Sequence, residues 1–177
     1  MSKQDYATPR TFIEACRRRF GPITMDLAAH AGNAMAPAWM GPGAEDGRVD
    51  SLQVDWAVLA AALAGEVMWL NPEYKCIRPW AQKCLDTIRR SESARILMLV
   101  PNGMGSDWYR DCVHRHAPTL VINGRITFRG ESAGYPKDHL LVLWGWAFAG
   151  AVDIWPLPPE ARSDTHSRSA DYLAGRC

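Results

Sequence analysis

The sequence predicts an α/β domain built on a mostly parallel β-sheet, with an antiparallel portion towards the C terminus. Two short, continuously apolar runs, residues 66–70 (EVMWL) and 96–100 (ILMLV), are typical of strands buried on both faces of a parallel sheet. Stretches with helical periodicity alternate with such runs, as in α/β folds. The chain has 177 residues, of which 47% are hydrophobic, and this is enough for one domain with a substantial core.

Apolar residues that recur every three or four positions predict helices, and short apolar runs that end at Gly, Pro or polar residues predict strands. In the N-terminal half, this pattern predicts a helix over residues 11–20, a strand over 23–27, a helix over 54–63 and a strand over 66–70. Residues 34–50 contain two Pro and three Gly, so we expect this stretch to be mostly irregular.

The C-terminal half continues the alternation and then changes character. The pattern predicts helices over 77–90 and 107–116, and strands over 96–100, 120–122 and 140–144. Asn123-Gly124 is a hairpin signal and predicts a turn into a strand over 125–128. After Pro156 the chain is polar and rich in Ser, Arg and Asp. We therefore expect one domain over residues 1–156 and a polar tail over 157–177.

The composition excludes several classes of protein. Twenty basic and nineteen acidic residues give a net charge of +1, which excludes a polybasic nucleic-acid carrier but leaves room for a local basic patch. The start of the chain lacks the apolar segment of a signal peptide, and the longest apolar run, residues 139–154, is too short and mixed to cross a bilayer. Five cysteines without a CxxC pair indicate free thiols in a reducing cytoplasm.

Two polar turns follow predicted strands, which is where open α/β sheets bind ligands. The first begins at Asp26 and includes the small residues Ala28, Ala29 and Gly32, which let the backbone approach a ligand closely. A carboxylate at this place can accept hydrogen bonds from ribose hydroxyls or from an ammonium group, and it can equally be the N-cap of the following segment. On chemistry alone, both interpretations of Asp26 stay open.

The second turn, Asn71-Pro72-Glu73-Tyr74, directly follows the apolar run over residues 66–70. Pro72 fixes φ and lacks an N–H, so the preceding carbonyl can point into a site. That carbonyl and the side-chain oxygen of Asn71 can accept hydrogen bonds from an exocyclic amine, and the Tyr74 ring can stack on a base. An isolated turn of this kind is more often structural, but its position after a buried strand favours a function.

An ordered series of segments carries a more specific signal. The segments are Tyr6-Ala7-Thr8-Pro9; Ile23–Ala29 with Asn33-Ala34; Asp50-Ser51-Leu52 with Asp55-Trp56; Asn71-Pro72-Glu73-Tyr74 with Trp80 and Lys83; Val100-Pro101 with Trp108; and Gly124–Phe128. From Tyr6 to about Leu143, in this order, the chain resembles the phage-type DNA N6-adenine methyltransferases, the Dam-like family.

The resemblance implies a Rossmann-like fold that uses S-adenosylmethionine as methyl donor, DNA as the partner, and the host bacterial cytoplasm as the location. It places one turn against the methionine part of the donor, a shortened loop after the first strand, and a short segment at the donor's ribose or adenine. The residues so implied in donor binding are Thr8, Pro9, Asp26, Ala28, Asp50, Ser51 and Asn71. Without the resemblance, the favoured interpretation of Asp50 is an ordinary loop carboxylate.

The resemblance also implies that Asn71, Pro72 and Tyr74 hold the target base. The family's turn usually carries a second proline where this chain has Glu73, which restores an N–H and puts a carboxylate beside the pocket. Glu73 either points outward without effect, or recognises a different acceptor or donor substituent, or accompanies a lost activity. It therefore belongs with the candidate catalytic residues.

Three basic residues are candidates for DNA contact. Lys75 and Arg78 follow the Asn71 turn closely and can pair with Glu73 or bind phosphate. Arg125 flanks the predicted hairpin, a shape that can enter a groove, although a charged β-edge that resists aggregation is the plainer interpretation.

Other chemistries find less support. His114 and His116 are two residues apart, which is poor spacing for a helical metal site, so no metal is predicted. The chain lacks a Gly-Lys-Ser/Thr phosphate loop, and Ser106 and Ser132 lack a nucleophile elbow.

The function predicted from the sequence is methyl transfer from S-adenosylmethionine to the N6 amine of adenine in DNA. Two alternatives stay open: a related transferase with an altered donor or acceptor, and a non-catalytic nucleic-acid- or protein-binding relative. The sequence does not indicate the oligomeric state or the DNA sequence recognised.

Overall fold

The computed structural model describes residues 6–44, 50–147 and 152–164. Its helices are α1 (Arg10–Phe20), α2 (Trp56–Ala62) and α3 (Ile77–Arg90), with a π-helix over Tyr109–Val113. Its strands are β1 (Ile23–Asp26), β2 (Ala38–Trp39), β3 (Val67–Leu70), β4 (Ile96–Pro101), β5 (Thr119–Asn123), β6 (His139–Trp144) and β7 (Val152–Pro156). Short 3-10 helices cover Ser51–Gln53, Tyr74–Cys76 and Pro159–Ala161.

The seven strands form one sheet in the order β2-β1-β3-β4-β6-β5-β7. All neighbouring pairs are parallel except those of β6, which runs antiparallel to both β4 and β5. The predicted α/β fold with a mostly parallel, Rossmann-like sheet is thereby confirmed, and its antiparallel portion is the single strand β6.

The sheet is covered on both faces, which explains its apolar central strands. In β4, Ile96, Met98 and Val100 belong to one core cluster, while Leu97 and Leu99 belong to the other. The first cluster contains residues of α2 and α3, and the second contains residues of α1. Because successive side chains of a strand point to opposite faces, a strand between two helical layers needs apolar residues at every position.

The strand directions bring several loops to one edge of the sheet. The parallel strands β1, β3 and β4 end there, at Asp26, Leu70 and Pro101. Because β6 is antiparallel, it begins at this edge, and its first residue, His139, is paired with Pro101. This carboxyl edge therefore collects the residues that follow β1 and β3 together with the start of β6.

Two strands were not predicted from the sequence. β2 is only two residues long and lies in the Gly- and Pro-rich stretch, where its pairing with β1 depends on contacts distant in sequence. β7 is an edge strand whose residues are exposed except for Trp155, so it lacks a regular apolar pattern.

The predicted hairpin at Asn123-Gly124 is wrong. β5 is already paired with β6 on one side and with β7 on the other, so no edge remains for residues 125–128. This segment is irregular, and its backbone bonds elsewhere: Thr127 N–H donates to the carbonyl of Arg162 at 2.9 Å and Arg129 N–H to that of Ala7 at 2.8 Å. Arg125 thus lies on an irregular connection.

The predicted helix over 107–116 is replaced by a short helical segment with the π-helix at its centre. Beyond β7, Leu157 and Ala161 are buried against the second core cluster, and residues 165–177 of the expected tail lie outside the described residues. None of the helices in the described part of the chain has the length and apolar character needed to cross a membrane.

Candidate functional site

A cleft of about 480 Å³ opens at the carboxyl edge of the sheet, among the loops that follow β1, β2 and β3. Several residues predicted for the site line this cleft: Ala28, Asp50, Ser51, Asn71, Pro72, Glu73 and Tyr74. The other predicted residues do not line it: Thr8, Pro9, Asp26, Lys75, Arg78 and Arg125. Segments distant in sequence therefore meet in one cavity, whose volume lies in the range usual for small-molecule sites.

The side-chain amide of Asn71 is held at both ends. Its Nδ2 donates to the backbone carbonyl of Tyr6 at 2.8 Å, and its Oδ1 accepts from the hydroxyl of Tyr74 at 2.9 Å. These two bonds fix which end of the amide carries the oxygen. A carbonyl oxygen has two lone pairs, so Oδ1 keeps capacity for a second donor from a ligand.

Tyr74 belongs to an aromatic cluster, defined here as Tyr6, Tyr74, Phe128, Tyr135 and His139. The rings of Tyr6 and Tyr74 are stacked with centroids 5.7 Å apart and planes at 21°, and the ring of Tyr135 meets Tyr74 edge-on at 5.7 Å. Burial, and to a lesser extent the nearby Tyr135 and Tyr6, raises the pKa of Tyr74 well above its usual value. The Tyr74 hydroxyl therefore stays protonated and serves Asn71 as a donor.

Asp26 organises the loop behind the cleft. Its Oδ1 accepts from the N–H of Ala28 at 3.2 Å, and its Oδ2 accepts from the N–H of Met35 at 3.0 Å. The residue is buried, and desolvation raises its pKa to about 6 against the opposing effect of these two backbone donors. In the structure, both carboxylate oxygens thus bond to backbone N–H groups of the irregular loop that follows β1.

The pKa of Asp26 predicts a pH-dependent contribution to stability. An unfolded chain ionises this group at about 3.9, and the folded protein only at about 6. Between these values the folded state binds more protons, so this group lowers the free energy of unfolding by about 3 kcal/mol as pH rises from about 4 to about 6. Denaturant unfolding of the wild type and of Asp26→Asn over this range should show the wild type losing stability relative to the variant. A difference that stays constant with pH would contradict the raised pKa.

Asp50 and Ser51 line the cleft from the short segment that precedes α2. Asp50 is exposed and caps the 3-10 helix Ser51–Gln53, with its Oδ1 accepting from Leu52 N–H at 3.1 Å. The indole N–H of Trp56 donates to the Ser51 carbonyl at 3.0 Å, and Lys83 Nζ to the Leu52 carbonyl at 3.0 Å. The segment is therefore anchored from two sides while the Asp50 carboxylate stays accessible.

The small residue Ala29 of the first turn also lines the cleft, together with residues to which the sequence assigned no role: Tyr6, Leu27, His30, Asn33, Met40, Gly41, Pro42 and Trp80. Tyr6, Leu27, Asn33 and Trp80 lie in the segments that carry the family resemblance, which was the available signal. Met40 and Gly41 are brought in by β2: Met40 N–H donates to the Asp26 carbonyl and Ala29 N–H to the Met40 carbonyl, each at 2.8 Å. That pairing has no local sequence signature.

The candidate DNA-contact residues lie outside the cleft. Lys75, Arg78 and Arg125 are all exposed. Arg78 donates to Asp111 Oδ2 at 2.8 Å, an exposed pair that adds little stability and can give way to another anion. A role for these residues in DNA binding stays a prediction.

Thr8 and Pro9 are buried beside the start of α1, where the Pro9 carbonyl accepts from Ile13 N–H at 3.2 Å. They connect Tyr6, which lines the cleft, to that helix. Their contact with the donor stays a prediction.

Comparison with known proteins supplies the identity. None of the curated proteins matches the chain significantly. A family model described as "DNA N-6-adenine-methyltransferase (Dam)" matches residues 1–145 of the 177. The match spans every segment that lines the cleft. The chain belongs to the Dam family of DNA N-6-adenine methyltransferases.

Proposed function

We propose that the protein transfers the methyl group of S-adenosylmethionine to the N6 amine of adenine in DNA, as a phage- or prophage-type enzyme of the host bacterial cytoplasm. One observation carries the proposal: the Asn71 turn and the Asp50-Ser51 segment lie in the same cleft at the carboxyl edge of the sheet. Residues 1–156 are the proposed methyltransferase domain, and DNA is its macromolecular partner.

The composition of the cleft fits the donor. S-adenosylmethionine, when bound, supplies an electrophilic methyl group. Apolar side chains of Leu27, Met40 and Trp80 line the cleft and suit an adenine ring, and the exposed Asp50 carboxylate suits hydroxyl or ammonium donors. Ala28 and Ala29 allow a ligand to approach the backbone of the first loop closely.

The Asn71 turn supports the acceptor half of the reaction. Asn71 Oδ1 and the carbonyl that precedes Pro72 are the proposed acceptors for the two N–H groups of the adenine amine. Holding the amine in this way directs its lone pair at the methyl group, so rate enhancement comes from positioning and from electrostatics around the nitrogen. Because the amine of a paired base lies inside the duplex, the adenine must first leave the stack.

Two measurements test the function. Calorimetry with S-adenosylmethionine measures donor binding, and mass spectrometry of nucleosides from DNA coexpressed with the protein identifies the product. Donor binding together with N6-methyladenine is the expected result. A different modified nucleoside would indicate an altered acceptor or donor group, and donor binding without any product would indicate a non-catalytic relative.

Asp50 gives a prediction for donor binding. Asp50→Ala should weaken the affinity for S-adenosylmethionine by about 1.5–3 kcal/mol, the range for a lost charge-assisted hydrogen bond. Asp50→Asn is the matched control, because asparagine can still cap the 3-10 helix Ser51–Gln53. If binding requires the carboxylate itself, calorimetry should show both variants weakened. Unchanged affinity in both would remove Asp50 from the donor site.

Glu73 favours the alternative of an altered substrate, because its exposed carboxylate lines the cleft next to the proposed base pocket. If Glu73 selects the substrate, Glu73→Pro should restore the family's usual turn and shift the product towards N6-methyladenine. The measurement is the nucleoside profile of DNA treated with each protein. Equal N6-methyladenine yields from the wild type and the variant would show that Glu73 has no part in selection.

A further inference from the structure

We propose that His139 recognises the target base, by donating a hydrogen bond to a ring nitrogen of adenine beside N6. This rests on the proposed function and adds a specificity-determining residue to it. The side chain of His139 is 0% exposed, and neither Nδ1 nor Nε2 has a hydrogen-bond partner. Its neighbours within the aromatic cluster are Tyr74, Phe128 and Tyr135, with ring centroids at 5.9, 5.3 and 5.0 Å.

Packing alone does not explain a histidine at this position. A buried polar group without a partner destabilises the folded state, and a phenylalanine would fill a pocket of aromatic rings without that cost. The two nitrogens of His139 are therefore available to a ligand that enters the aromatic cluster. Burial lowers the pKa of His139 to about 3, so the ring is neutral, with one nitrogen as donor and the other as acceptor.

The position of His139 connects it to the acceptor site. His139 begins β6 at the carboxyl edge, and Tyr74 contacts both residues: its ring centroid is 5.9 Å from that of His139, and its hydroxyl donates to Asn71 Oδ1 at 2.9 Å. A base whose amine is held at Asn71 and whose ring stacks on Tyr74 extends over the aromatic cluster. N1 of adenine is bonded to the carbon that bears N6, and N7 lies one carbon further away on the other side of the amine. Both are hydrogen-bond acceptors, so either can meet the donor nitrogen of His139.

The cluster contains a ring that can make room. Tyr135 is half-buried and lies on the irregular connection between β5 and β6, next to the exposed residues Pro136 and Lys137. Its backbone N–H donates to the Ile126 carbonyl at 2.9 Å, and its ring packs only against the other members of the aromatic cluster among the described aromatic contacts. Displacement of this side chain would open the cluster without unfolding a helix or a strand.

The test pairs protein variants with altered bases. DNA duplexes are made with adenine, 7-deazaadenine or 1-deazaadenine, all of which keep the N6 amine, and kcat/KM is measured for the wild type and His139→Phe. For the wild type, one of the deaza bases should reduce kcat/KM about tenfold, which corresponds to about 1.4 kcal/mol. His139→Phe should lose about tenfold on adenine and lose nothing further on that same deaza base.

Trp144→Phe is the control, because Trp144 lies at the other end of β6 and also has a buried ring nitrogen, Nε1, without a partner. It should leave the discrimination among the three bases unchanged. Equal rates of the wild type on all three bases would overturn the role of His139, as would a loss in His139→Phe that is the same for every base. Where His139→Phe fails to fold, the wild-type comparison of the three bases decides alone. Failure of the proposed function looks different: the wild type would then modify none of them.

Discussion

Asn71→Ala is expected to abolish methyl transfer while leaving the affinity for S-adenosylmethionine nearly intact. The side chain is aligned before any substrate arrives, by the Tyr6 carbonyl on Nδ2 and the Tyr74 hydroxyl on Oδ1. An acceptor that orients the amine acts mainly in the transition state, so its removal lowers kcat and kcat/KM together. We expect a loss of about 10²-fold or more, as for other preorganised groups that stabilise developing charge.

A matched control separates this role from a general disturbance of the carboxyl edge. Asn102 follows β4 at the same edge, is exposed, and accepts from Met104 N–H through its Oδ1 at 3.3 Å. Asn102→Ala removes a similar turn-forming amide that does not line the cleft, so it should retain most of the activity. Calorimetry and single-turnover transfer on the same preparations check both variants. Full turnover by Asn71→Ala would show that the turn is structural only.

The central elements of the fold were predictable because their signals are local. The helix over 77–90 has the same bounds in the sequence prediction and in the structure, since its apolar residues recur on one face and its length exceeds three turns. The strands β3 and β4 are buried on both faces, so consecutive residues are apolar. Such a run can be recognised in the sequence without any knowledge of the neighbouring strands. Placement of the Asn71 turn at the carboxyl edge followed from the position of β3.

Elements that depend on long-range pairing were not predictable in this way. The Asn-Gly dipeptide after β5 is a genuine turn signal, but a hairpin also needs a free strand edge, and the neighbours of β5 come from residues 139–144 and 152–156. The two-residue strand β2 is defined by its partner β1 rather than by its own composition. The spacing of apolar residues indicates which side chains of a strand are buried. It does not indicate which other strand is its neighbour in the sheet.

In the candidate site too, some features could be predicted from the sequence and others depend on contacts between distant segments. The residue types and order around Asn71 and Asp50 indicated one cleft, and the structure brings them together. The environment of individual groups was not available from the sequence. Asp26 has both oxygens bonded within its loop, and the isolation of His139 among aromatic rings arises only from the meeting of β6, the Asn71 turn and the connection that follows β5.

Gly41→Ala is expected to disrupt the part of the cleft that we propose for the donor, which is formed by the loops after β1 and β2. Gly41 has a φ of +140°, and a Cβ added to it would lie 1.9 Å from the carbonyl oxygen of Ala29. That oxygen belongs to the backbone of the loop after β1, which is held in place by the bond from Ala29 N–H to the carbonyl of Met40, the residue that follows β2. The clash cannot be relieved by a side-chain rotation, so the two loops must separate, at a cost of about 2–5 kcal/mol in strain and lost packing.

Gly43→Ala provides the comparison that isolates the close approach. Gly43 also has a positive φ, +82°, but the nearest atom to an added Cβ is in the ring of Trp39, at 3.8 Å. Both variants carry the backbone cost of an alanine at positive φ, on the order of 1–3 kcal/mol, and the steric overlap applies only to Gly41→Ala. Denaturant unfolding and calorimetry with S-adenosylmethionine should therefore show Gly43→Ala folded, modestly destabilised and able to bind the donor. In Gly41→Ala donor binding should fall below detection even at temperatures where the variant remains folded. Similar donor affinity in the two variants would mean that the contact between the loops after β1 and β2 does not form the donor site, and the donor would have to bind elsewhere on the carboxyl edge.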